Sequence, residues 1–322
     1  MRVTFRFAVT LLTLLLFAVS VGSLLVGAAG LEIGDVLSAF LTPGDQNVAS
    51  TILWEVRIPR IAAGIVVGIS TAMAGVILQS TFANPLAEPS LIGISGMAGV
   101  GAILVGAAVD SLPLQTIGGV VAASLAMLWL TKQNVSRNAF LILGIAVGSL
   151  ATSVLGALAS SSLGSDQRSL NAWLFGSLSL ATNEAVIIVL SSIVIAVMVL
   201  RTDLRILDIV SLGERQAAHL GVAVSSYKRK WLIVAALLIG CSVTAFGIVT
   251  FVGLLVPHIA RGLGFMLHRQ LLVVSGFLGG ILVVVADSLA RVATAPFELP
   301  LSLVLAAFGA PVLITIVKRR AQ

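Results

Sequence analysis

Charge is scarce in this sequence. Asp, Glu, Lys and Arg together make only 10% of its 322 residues, against about 25% in a soluble globular domain. With 58% hydrophobic residues and a mean hydropathy of +1.13, the chain lacks the polar surface that even a large soluble domain needs. That excludes a soluble globular protein. A single cysteine, Cys241, rules out an intrachain disulfide and a cysteine-based metal site, and its place within an apolar run marks it as a packing residue. There is one tyrosine, and the basic residues are scattered through short loops rather than pooled with aromatics. The net charge of +6 is therefore no nucleic-acid footprint, and no nucleic-acid partner is expected. No G-x-x-x-x-G-K-[ST] phosphate loop, G-x-S-x-G elbow or H-E-x-x-H pair occurs. The chain binds no ATP by that route and carries no recognisable catalytic constellation.

What the sequence has is long apolar runs. A spanning helix needs about 20 mainly apolar residues. On that rule spans are expected near 7–28, 60–80, 91–109, 113–131, 139–160, 184–200, 231–250, 252–267, 271–290 and 300–317. The expected fold is an all-α polytopic membrane bundle of about ten transmembrane helices, in one domain over 1–322. The pair around 231–267 is expected to be irregular because Gly247 and Pro257 interrupt it. The first run, Phe7 to Ala29, exceeds the 7–15 residues of a signal-peptide core and reads as an uncleaved span. With a cytoplasmic N-terminus, about 15 Lys and Arg fall inside. Only Arg57, Arg60, Arg168 and Arg291 fall outside. The positive-inside rule then places both termini in the cytoplasm. Small residues four apart, Gly64/Gly68, Gly144/Gly148 and Gly276/Gly280, predict close helix packing in lipid.

Three polar interruptions carry the functional signal. "TFANPLAEPSLIGIS" (81–95) places Pro85 and Pro89 between two spans, and each proline biases its predecessor away from helix. One reading is an ordinary turn in which Asn84 caps and Glu88 is solvated. The other is a constriction, since irregular backbone at membrane depth must be buried in protein or line a watery cavity. "WEVRIPR" sets Arg57 and Arg60 around Pro59 at a helix start, where the helix dipole disfavours cations. Lipid headgroups or Glu55 would satisfy them, as would an acidic partner. Arg291 has its own candidate in Asp287, four residues earlier on the same helix face. The loop 201–230 contains "SLGERQAAHLG", a short amphipathic helix leaving Leu212, Ala217 and Leu220 exposed unless covered. Such a helix lies on the membrane or enters a partner's groove.

These stretches, taken in order with "WLFGSLS", "GIVTFVGLLVPHIAR", "HRQLLVVSG", "ADSLAR" and "ELPLSLVLAAFGAP", resemble the permease subunits of the iron-siderophore, haem and cobalamin family of ABC importers. The resemblance runs from about Arg57 onward. It implies ten helices per subunit, a dimer with a second copy or a paralogue, two cytoplasmic ATPase subunits and an extracytoplasmic substrate-binding protein. ATP and magnesium would sit on the ATPases, with no cofactor on this chain. By motif, Arg57, Arg60 and Arg291 resemble the arginines that meet acidic residues of the binding protein. Asn84, Pro85 and Leu86 resemble a cytoplasmic gate, and Ser136, Arg137 and Asn138 a weaker second gate element. Leu212, Gly213, Glu214, Arg215, Ala217, Ala218, Leu220 and Gly221 resemble the coupling helix that docks on the ATPase.

The leading expectation is thus a transport subunit, not an enzyme, moving a ferric siderophore or similar chelate. "WLFGSL" favours siderophore over cobalamin, and haem or cobalamin is the alternative. An ion-coupled secondary transporter would need an ionisable site near mid-bilayer. Asp287 lies too near one end of its span for that, and His258 too near the other.

Overall fold

The computed structural model describes residues 4–27, 33–41, 47–133, 137–161, 174–294 and 297–321. Among them every regular element is helical. The elements are α1 (Phe5–Leu25), α2 (Ile33–Leu41), α3 (Val48–Thr81), α4 (Ile94–Gly106), α5 (Leu112–Lys132), α6 (Arg137–Ser161), α7 (Asn183–Leu200), α8 (Leu204–Ser211), α9 (Glu214–His219), α10 (Val224–Phe246), α11 (Val252–Gly262), α12 (His268–Val292) and α13 (Leu301–Ala321). Helices are forced here because a lipid environment offers no other partner for backbone N–H and C=O groups.

Six of them, α1, α3, α5, α7, α10 and α12, are long and apolar enough to cross a membrane. Ile94–Gly106, Ile142–Leu158 and Leu301–Val312 are shorter apolar helices. Each of the ten expected segments coincides with a helix, but the stretch 252–267 holds only the 11-residue α11. At 1.5 Å per residue that is about 16 Å, too short for a hydrocarbon core of about 30 Å. Its predecessor ends where expected, at Gly247, whose φ of 77° no other residue adopts cheaply. Pro257, by contrast, sits inside α11 without ending it.

α3 is the central post. In its spanning window 78% of residues are buried, against 17% for α1 at the periphery. It packs on α12, α10, α11 and α7. The helix begins at Val48, upstream of the expected 60, with Asn47 Oδ1 accepting from Ser50 N at 2.7 Å. Pro59 does not start it. Instead Ile52–Arg57 widens to a π-helical turn, which absorbs the missing N–H and the ring's clash one turn back. The α3–α12 contact is made backbone to backbone. A Cβ on Gly68 would lie 2.2 Å from the Gly279 carbonyl oxygen. Gly144 and Gly148 close on Ile92 and Gly93. Gly276 makes no such approach, its nearest neighbour being Ile69 Cγ2 at 3.5 Å.

Candidate functional site

Three irregular segments meet: 82–93 between α3 and α4, 174–182 before α7, and 247–251 between α10 and α11. Hydrogen bonds tie them to one another and to the ends of α10 and α13. Ser177 N donates to Phe246 O at 3.0 Å, Leu301 N to Gly176 O at 3.1 Å, and Ser302 N to Phe175 O at 3.0 Å. Ser302 Oγ donates to Ile248 O at 2.8 Å and accepts from Thr250 N at 3.2 Å. The motifs "LFGS" and "ELPLS" are therefore two sides of one joint. Around it opens a cleft of about 540 Å3. Hydroxyls of Ser90, Ser95, Thr152, Thr250 and Ser302 alternate there with apolar groups such as Phe175, and none of the described lining residues is charged.

The segment 82–93 is a self-capped turn at one end and buried in protein at the other. Asn84 Oδ1 accepts from Leu86 N at 2.9 Å, the self-capped turn. Asn84 and Pro85 are half-buried and Leu86 is exposed. Glu88, however, is not solvated. It is 3% exposed and accepts from the Phe251 backbone N–H, where Phe251 (φ 69°) begins α11. Burial raises its carboxyl to about 7 despite that hydrogen bond. Of the second gate element, Ser136 lies outside the described residues, and Arg137 and Asn138 open α6.

Beside this segment α3 ends in a polar knot. Gln79 Nε2 donates to Gly253 O at 3.0 Å and its Oε1 accepts from Arg261 at 2.5 Å, clamping α11 to α3. Ser80 Oγ meets His268 Nε2 at 2.5 Å, and His268 Nδ1 meets Asp208 Oδ1 of α8 at 2.6 Å. A continuous polar chain thus runs from α8 to the last turn of α3. Sequence reasoning missed it because Ser80, Asp208 and His268 lie far apart along the chain and form no motif.

α8 and α9 form the expected short-helix segment. Gly213 and Gly221 frame α9 with φ of 132° and 80°. Leu212 and Leu220 are 73% and 68% exposed, but Ala217 is fully buried. It belongs to the anchoring face, not the exposed one. Glu214 pairs with Lys228 at 2.5 Å, while Arg215 and Ala218 line a surface cleft with Lys228 and Arg229. Buried Asp203 accepts from Lys230 and from Trp231 Nε1, pinning the segment to α10.

At the opposite end of the bundle the three arginines come together. Arg57, Arg60 and Arg291 are 3%, 6% and 6% exposed. Arg60 holds Asp287 (2.8 Å) and Glu298 (2.8 Å) at once. Arg291 takes the other oxygen of Asp287 at 3.1 Å, the i, i+4 pair read from the sequence. It also donates to Val26 O at 2.8 Å, and Arg57 donates to Leu24 O. The guanidinium groups tie α1, α3 and α12 together. Glu298 is the one exposed member, with 39% of its side chain accessible. Among the described residues no group of His, Cys, Asp or Glu could hold a metal ion.

Comparison with known proteins agrees with this architecture. Residues 12–319 match the model of the FecCD transport family. The chain is 31% identical over 291 residues to the vitamin B12 import system permease protein BtuC of Salmonella arizonae, covering 88% of each. It is 34% identical over 278 residues to BtuC of Yersinia enterocolitica, covering 83% of this chain and 82% of that one. A solved inward-facing structure of a transporter described as metal-chelate type superposes with a TM-score of 0.82 at 25% identity, over 97% of this chain and 98% of the other. PsaBC from Streptococcus pneumoniae shares the fold, with a TM-score of 0.58 at 16% identity. The six long apolar helices, the conjoined irregular segments and a family match over nearly the whole length have one meaning: this chain is a multi-pass membrane protein of the FecCD transport family, the permease subunits of ABC importers.

Proposed function

We propose that this chain forms, with a second permease, the membrane pathway of an ATP-driven importer for a large metal chelate. Its α8–α9 end faces the cytoplasm, as the distribution of Lys and Arg requires. The observation that carries the reading is the uncharged cleft lined by hydroxyls and apolar groups. A conduit of this chemistry lets a bulky, many-oxygened cargo pass without trapping it, and leaves selection to a separate binding protein. Two copies facing each other would double its width. Two ATPase subunits carrying ATP and magnesium would dock on the exposed Leu212 and Leu220, with no cofactor on this chain. Their movement reaches the gate through Asp208, His268 and Ser80, which join α8 to the end of α3 next to Asn84–Leu86. At the other end, an acidic residue of the binding protein would engage Arg60 by displacing the accessible Glu298.

Vitamin B12 is the first cargo to test, because the curated relatives named above import it. A ferric siderophore is the second, since Leu174 and Phe175 of the "WLFGSL" stretch line the cleft. Cells lacking the chain, with and without its restoration, should be given labelled cobalamin, a panel of ferric siderophores, and haem. Uptake of one cargo should return with the chain and vanish when the partner ATPase is disabled. Uptake that survives loss of the ATPase but collapses with the proton gradient would overturn the reading in favour of a secondary transporter.

A further inference from the structure

Between α3, α7 and α12 runs a groove of about 300 Å3 that belongs to neither the cleft nor the gate. Ile69 and Met73 of α3, Ile193 and Val197 of α7, and Leu272 and Phe277 of α12 wall it. Apart from two arginines, every lining residue is apolar. Arg201 directly follows the last residue of α7 and Arg269 is the second residue of α12. Both therefore stand at one end of the groove. Both are exposed, and among the described residues neither is paired with a carboxylate. The acids of the adjoining segment are already taken, Asp203 by Lys230 and Asp208 by His268. Arg269 also sits in the first turn of its helix, where a cation is disfavoured by the dipole, so helix stability does not account for it.

The groove's length is informative. From Arg269 to Phe277 α12 rises by about 12 Å at 1.5 Å per residue, close to one leaflet of a hydrocarbon core of about 30 Å. Gly276 puts no side chain into the groove, and a Cβ there would meet only Ile69, at 3.5 Å. An apolar slot one leaflet deep under two unpaired guanidinium groups matches one ligand chemistry. Paired arginines bind phosphate through planar, bidentate hydrogen bonds, and basic pockets between spanning helices take anionic headgroups.

We propose that this groove binds one anionic phospholipid, its phosphate on Arg201 and Arg269 and an acyl chain along α3, α7 and α12. The inference requires only that the chain spans a membrane, and is independent of its cargo. In this site the lipid acts as a wedge between α7 and the two helices, α3 and α12, through which the polar chain runs from α8 toward the gate.

The test uses the full-length chain purified in mild detergent and equilibrated with phosphatidylglycerol or phosphatidylcholine. Native mass spectrometry then counts retained lipids. One phosphatidylglycerol per chain should be retained at least tenfold more strongly than phosphatidylcholine. The double substitution Arg201→Gln/Arg269→Gln should abolish that preference. Gly276→Leu, which fills the slot and leaves both charges, should lower retention of the lipid as well. Thermal unfolding of each variant checks that the fold persists. Equal retention of both lipids would make the groove an ordinary annular position. Undiminished binding in both variants, or full competition by inorganic phosphate, would equally overturn the site. So would a second copy of the chain protecting the groove from lipid in a cross-linked dimer.

Discussion

Glu88 is buried without a cationic partner in the described structure, held by hydrogen bonds from the Phe251 N–H and the Ser90 side chain. Its carboxyl is raised from 4.5 to about 7. The folded state therefore binds the proton more tightly than the unfolded chain, and stability falls as pH climbs from about 4.5 to 7 and is level beyond. The span is worth roughly 3 kcal/mol at about 1.4 kcal/mol per pH unit. Glu88→Gln keeps an oxygen to accept from Phe251 but cannot ionise. Its melting temperature in detergent should lose that part of the pH slope and exceed the wild type above pH 7, whereas Glu88→Ala should be less stable than Glu88→Gln throughout. Identical pH slopes for wild type and Glu88→Gln would refute the assignment. The arginine cluster answers to the same physics with the sign reversed. Asp287 is the carboxylate on Arg291 and one of two on Arg60, so Asp287→Ala strands the buried Arg291, leaves Arg60 to Glu298 alone and should cost about 3–5 kcal/mol in a denaturation experiment. The Arg291–Asp287 pair was legible from spacing alone. The burial of Arg57 and Arg60 was not, since a sequence does not show that the end of α1 returns to cover them.

At the scale of elements, helix contacts are set by which glycines face each other. The pattern Gly276/Gly280 points to the right stretch of α12 and misses the residue that matters, for the tight approach is Gly279 against Gly68. Periodicity gives a face to within a residue or so. Only the packed pair of helices decides which backbone atoms touch. Gly279→Ala would force a Cβ to within 2.2 Å of the Gly68 carbonyl oxygen. It should destabilise by about 1–3 kcal/mol, the usual cost of overpacking. Gly276→Ala, with its neighbour at 3.5 Å, should lie within about 0.5 kcal/mol of wild type. Thermal unfolding of the two variants side by side decides the matter, and equal losses would mean that α3 and α12 do not meet this way in the membrane. The α10–α11 pair shows the same limit. Gly247 marks the break and the hydrophobic windows on either side of it predict two spans, whereas α11 is a half-length helix held by Gln79, Arg261 and Glu88.

For the whole molecule, the proposed function requires that an event at α9 alter the pathway some distance away, and a bistable element suits this better than continuous deformation. The described contacts supply a linkage: α9 is anchored by Ala217 and by Glu214–Lys228, α8 by Asp208–His268, and His268 touches Ser80 at the end of α3, close in sequence to the proposed gate at Asn84–Leu86. On this segment Leu212 and Leu220 leave apolar surface uncovered in the single chain. Because Leu220 is 68% exposed, Leu220→Asp should leave the isolated chain within about 0.5 kcal/mol of wild-type stability. A leucine buried at the centre of a subunit interface is a different matter, and losing it to a carboxylate should cost 2 kcal/mol or more, roughly 30-fold in affinity. Co-purification of the ATPase should fall accordingly and uptake should fall with it. His268→Ala separates the two halves of the argument. It leaves the exposed leucines in place, so the ATPase should still bind and hydrolyse ATP while uptake drops at least several-fold. If His268→Ala transports normally, the polar chain only packs α8 against α3, and the coupling must travel by another route.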